Sequence, residues 1–82
     1  MEKSLFTREH RLLVALLREM REEAQITQME LATKIGQSQS FVTKAECGER
    51  RLDLIQLRNI CQALGTSLPK FVARLETRIK RG

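Results

Sequence analysis

Apolar positions recur along this chain at intervals of three and four, and no run of β-branched residues alternates at two, so it reads as a series of helices. Thr7 can cap the first, with Glu9 in the first turn favouring the helix dipole. That helix should run from about Arg8 to about Ala24, with Leu13, Leu16, Leu17, Met20 and Ala24 as its inward stripe. Leu12 and Val14 lie off the stripe and widen the apolar surface, either to pack against the last helix or to form a subunit interface. Thr27 and Glu30 make a capping box for a second helix, whose apolar face is Leu31, Ala32 and Ile35. Gly36 follows, and Ser38 can cap a third helix, about Gln39 to Glu46, with only Val42 and Ala45 as a narrow apolar strip. Asp53 caps a fourth helix, from about Leu54 to Leu64, ending at Gly65, with Leu54, Leu57, Ile60, Cys61 and Leu64 toward the core. Ser67 caps a fifth, Pro69 being tolerated in its first turn, and Phe71, Val72, Leu75 and Ile79 carry its stripe nearly to the end. A helix that outruns its own domain needs a partner for its far end, which helix 1 or a second copy of the chain could supply.

The stretch from Ile26 to Arg51 organises the rest. Two short helices joined by a tight turn make a helix-turn-helix, about 28–46. Ala32 is small where the helices cross, and Gly36 can take the left-handed conformation the turn requires. Leu31, Ile35, Val42 and Ala45 wedge the pair onto the domain. The remaining positions of the third helix, Gln39, Ser40, Thr43 and Lys44, carry donors and acceptors and no large aliphatic group. A DNA major groove accepts such a helix, and its base edges offer the complementary groups, so these four are the candidate base readers. Phe41 could touch a sugar or a thymine methyl, but a lone aromatic on a short helix belongs in the core. Gly48-Glu49-Arg50-Arg51 follows directly, and its two arginines should lie over a phosphate strand when the helix is in the groove.

The segment resembles the helix-turn-helix of the Cro/repressor-type (Xre-like) transcription regulators. The matching residues are Gln28, Glu30, Leu31, Ala32, Ile35, Gly36, Ser38-Gln39-Ser40, Val42, Glu46, Gly48 and Arg51, and later Ile60, Ala63, Leu64 and Gly65. The resemblance spans Leu17 to Val72. It implies an all-α, five-helix, lambda-repressor-like DNA-binding domain, here with extended first and last helices. It implies a sequence-specific, double-stranded DNA-binding regulator. One such domain covers about four or five base pairs, so the expectation is a homodimer on a palindromic operator, its half-sites about one helical turn apart. In the resembled family an Arg near the end of helix 1 pairs with a Glu at the end of the recognition helix, which here gives a structural ion pair between Arg21 and Glu46. Gln28 resembles the family's phosphate-anchoring Gln, and Ser38, Arg50 and Arg51 would add backbone contacts. Some members of such folds act instead as antitoxins or as partners of other regulators, so a protein partner, a toxin or another regulator, is the alternative. Cys47 departs from the family, which has Asn, Arg or Ser there. It reads as a small turn residue, or as a redox-sensing thiol among Lys44, Arg50 and Arg51.

The 82 residues suffice for one domain, 1–82, with an arm at about 1–6 that is either solvated or reaches DNA with Lys3, Arg8 and Arg11. The net charge of +5 favours a polyanion. Two cysteines make no disulfide framework, and Cys61 reads as a buried hydrophobe, which fits a cytoplasmic protein. The N-terminus lacks the apolar core of a signal peptide, and the run Leu12 to Leu17 is too short to span a membrane. His10, the one histidine, sits in a charged, exposed-looking stretch. With it and two distant cysteines, no metal site is expected. No nucleotide-binding loop and no catalytic constellation is present, so neither a cofactor nor an enzymatic activity is expected.

Overall fold

The computed structural model describes residues 7–81, so the expected N-terminal arm lies outside the described residues. Five helices form where the apolar periodicity places them: α1 (Arg8–Glu23), α2 (Gln28–Ile35), α3 (Gln39–Cys47), α4 (Leu54–Ala63) and α5 (Leu68–Arg81). Every expected cap closes. Thr7 Oγ1 accepts from the His10 N–H at 3.1 Å, Ser38 Oγ from Phe41 at 3.2 Å and Ser67 Oγ from Lys70 at 3.3 Å. Thr27 and Glu30 form the reciprocal capping box, and Asp53 forms a second one with Gln56. Each cap satisfies an otherwise orphaned donor and contributes about 1 kcal/mol.

Gly36 ends α2 at φ 71°, and the Gln37 N–H then returns to the Ala32 carbonyl at 2.9 Å. A side chain is strained at that φ, so glycine is what lets Ser38 cap α3 only two residues later. The core draws on all five helices: Leu16, Leu17 and Met20; Leu31 and Ala32; Phe41, Val42 and Ala45; Ile60 and Cys61; and Phe71.

Two expected core positions are corrected. Ala24 is the exposed C-cap of α1, because the helix ends one residue sooner than its apolar stripe suggests. Leu54 is 64% exposed, because it opens α4 right after the cap, before the helix has turned its apolar face inward. Leu12 and Val14 are half-buried. Among the described residues the exposed large hydrophobic side chains are Met29, Leu54, Ile55 and Val72.

The far end of α5 finds its partner in α1. Arg78 makes two hydrogen bonds to the Glu19 carboxylate, at 2.7 and 3.0 Å, and Arg74 reaches Glu23 at 3.4 Å. Arg8 donates to the Ile79 carbonyl at 3.2 Å, and so caps the negative end of α5. The Arg78 guanidinium holds the Glu19 carboxyl below its ordinary range. Among the described residues no helix is long and apolar enough to cross a membrane.

Candidate nucleic-acid interface

Helix α3 is two-faced. Phe41, Val42 and Ala45 are buried, which confirms packing for Phe41. Gln39, Ser40, Lys44 and Cys47 are exposed, and Thr43 is half-buried. At 100° per residue, positions 39, 40, 43, 44 and 47 share one face, so the helix presents a continuous polar strip. The Gln39 and Lys44 side chains make no hydrogen bond among the described residues, and their donors and acceptors stay available to a ligand. The Ser38 hydroxyl oxygen already caps α3.

What fixes this helix is a buried polar chain that joins three helices. Arg21 on α1 donates from Nε to Glu46 Oε2 at 2.6 Å and from Nη2 to Glu46 Oε1 at 3.1 Å. Its Nη1 donates to the Ile26 carbonyl at 2.8 Å, which ties in the α1–α2 connection. Glu46 Oε1 also accepts from Gln28 Nε2 at 3.0 Å, and Gln28 Oε1 accepts from the Thr43 hydroxyl at 2.7 Å. A carboxylate only accepts, so Gln28 must turn its amide toward Glu46 and its carbonyl toward Thr43. The pair is desolvated, with the Arg21 side chain 11% and the Glu46 side chain 5% exposed. The hydrogen bonds that Arg21 donates to Glu46 hold it more firmly protonated than usual, against the opposing effect of burial. Two of the expected DNA-contacting residues thus have internal duties. The Gln28 side-chain amide is committed on both sides. Thr43 has given its hydroxyl proton to Gln28 and keeps lone pairs for its outer side.

The loop after α3 adds the basic component. Gly48 takes φ 84°, and the Glu49 and Arg50 N–H groups both return to the Lys44 carbonyl, at 2.9 and 3.2 Å. This closes α3 and throws two arginines onto the surface next to its polar strip. Arg50 lies over the Phe41 ring, 4.8 Å from the centroid, so its guanidinium is held in place before any ligand arrives. Arg51 is exposed. Cys47 is the last residue of α3 rather than part of the turn, and it is a free, exposed thiol.

His10 corrects the sequence reading. It is buried, 6% exposed, and its ring contacts the Gly48 backbone beside Arg51. Its spacing with Leu13, Leu17 and Met20 is that of one helical face, and this was the available signal. Burial, then the Arg51 charge, lower its pKa from the ordinary 6.5, and the Gly48 backbone works the other way. Burial also pushes the Cys61 thiol up, as suits a core residue. Among the described residues no three His, Cys, Asp or Glu side chains group to hold a metal.

A family described as a helix-turn-helix domain matches residues 12–75. No curated protein matches. An XRE-family like protein from Pseudomonas syringae pv. tomato str. DC3000 is 43% identical, covers 85% of each chain and superposes with a TM-score of 0.80. A point mutant of the restriction-modification controller protein C.Esp1396I is 26% identical over 96% of this chain and 95% of that one, with a TM-score of 0.80. The same controller, solved as a tetramer in complex with its natural 35 base-pair operator, is 24% identical over 95% and 97% of the two chains, with a TM-score of 0.79, a likeness of fold. With the helix-turn-helix, its polar α3 face and these relatives in agreement, the chain belongs to the XRE family of helix-turn-helix DNA-binding transcription regulators.

Proposed function

We infer that the whole chain, 1–82, serves as one sequence-specific DNA-binding domain, acting in the cytoplasm as a homodimer on a palindromic operator. The observation that carries this is the exposed strip Gln39, Ser40 and Lys44, on a helix locked from behind by Arg21, Glu46, Gln28 and Thr43. Gln suits adenine and Lys suits guanine, so α3 enters the major groove with these two as principal base readers and Ser40 and Thr43 as secondary ones. Arg50 and Arg51 meet the adjoining phosphates, with Ser38 and the start of α2 at Gln28 on the other side. The net charge of +5 supports the same partner. The test is fluorescence polarisation with a randomised-duplex pool and its enriched winners at two salt concentrations. A selected palindrome should bind at least about a thousandfold more tightly than the pool. Equal, weak, salt-sensitive binding to every duplex would sink the sequence-specific reading.

Leu54 and Ile55 support a contact with the second copy at the start of α4. They are 64% and 63% exposed and start α4 only a few residues after Arg51. A two-fold contact here sets two recognition surfaces side by side on one face of a duplex. Ile55→Lys should therefore give a monomer in sedimentation that keeps the helical content of the wild type by circular dichroism and no longer shows a concentration-dependent Tm. A wild-type monomer on operator DNA would defeat the dimer. These residues also make the best case for the alternative, a toxin or other protein partner, because they are the most exposed large hydrophobic side chains among the described residues.

A further inference from the structure

His10 is buried beside Gly48, at the base of the loop that carries Arg50 and Arg51. Its Nε2 is buried with no hydrogen-bond partner among the described residues. The ring abuts the backbone of Gly48, itself buried, where the loop carrying Arg50 and Arg51 begins. Phe41 supports that loop from α3 through the stacked Arg50, and His10 supports it from α1. Of the charged groups around the ring, Arg51 is the one whose field reaches it. Glu9 and Arg11 flank it on α1, and Glu49 and Arg50 lie in the loop. A buried imidazole nitrogen without a partner is costly in either protonation state, and such atoms call for a role.

We propose that His10 is a positioning residue for the phosphate-binding loop, and that its Nε2 takes a proton from solvent when a nucleic-acid phosphate docks on Arg51. This rests on the DNA-binding reading above. In the free protein the ring is buried and feels the positive charge of Arg51, so it stays neutral to lower pH than an ordinary histidine. The unfolded chain therefore binds the proton first. Stability is complete above pH 6.5 and is lost as pH falls below it through the lowered pKa. A phosphate offsets the Arg51 charge and adds a negative one, so it favours the imidazolium. By linkage, DNA binding then strengthens as pH falls through the same window.

The single histidine makes the test direct, because its imidazole resonances need no assignment. They are followed by NMR against pH in the free protein, with a saturating selected duplex and with a scrambled duplex of equal length. The imidazole pKa should rise on both duplexes, since phosphate contacts carry no sequence information. Affinity should strengthen about threefold between about pH 7.5 and about pH 5.5, a slope that His10→Asn loses. In Arg51→Ala the rise on binding should shrink. An imidazole that titrates identically in a saturated complex, or a His10→Asn protein with the wild-type pH slope, overturns the proposal and leaves the DNA-binding reading intact. Failure of either duplex to saturate the protein at low salt overturns both.

Discussion

Glu46→Ala is expected to cost the domain about 3–5 kcal/mol, read as a fall in the urea midpoint at unchanged slope. The carboxylate accepts from Arg21 Nε, Arg21 Nη2 and Gln28 Nε2. Without it the guanidinium keeps only the Ile26 carbonyl, and it stays where water does not replace the lost bonds. Ordinary domains hold about 0.05–0.15 kcal/mol per residue, so a chain of this length has roughly 4–12 kcal/mol in all. The loss thus runs from about a quarter of the total to all of it, and a domain at the lower end of that stability range would be largely unfolded at 37 °C. Replacing both partners with apolar residues, as in Arg21→Met with Glu46→Leu, should restore much of it, because the penalty comes from an unpaired buried charge. A Glu46→Ala protein within about 1 kcal/mol of wild type would mean that the pair is effectively solvated.

That pair was legible in the sequence only through family resemblance, whereas the five helices were legible from local chemistry. Thr7, Thr27, Ser38, Asp53 and Ser67 each had a cap's side chain next to an apolar period, and capping is decided within four residues. The second capping box, Asp53 with Gln56, is equally local, since Gln serves as well as Glu at that position. Burial is not local, and the errors fell there. Leu54 carried the right spacing for α4 but stands on its first turn, which the core does not reach. His10 looked exposed among Arg8, Glu9 and Arg11, yet the α3–α4 loop folds over it from about forty residues away, a closure that α1's own neighbours do not encode. The double duty of Gln28 and Thr43 was hidden for the same reason. The sequence points each toward DNA, and only the crossing of α2 and α3 brings their side chains into contact.

The internal bond of Thr43 decides which substitutions test base reading cleanly. Removing it would disturb Gln28, and through it Glu46, so lost DNA binding in a Thr43 variant would mix two causes. Gln39 and Lys44 are free of this, since both are exposed on the strip and their side chains make no hydrogen bond among the described residues. Gln39→Ala with Lys44→Ala should leave thermal unfolding within a degree or two of wild type. Each base contact is worth about 1–3 kcal/mol of discrimination, so the pair should lower the preference for the selected site by at least about thirtyfold. Arg51→Ala should do the reverse, weakening every duplex about equally and reducing the salt slope by about one. These two signatures separate reading from holding on one surface. If the Gln39 and Lys44 variant keeps its preference while Arg51→Ala loses affinity, the major-groove assignment of α3 is wrong and the loop alone binds DNA.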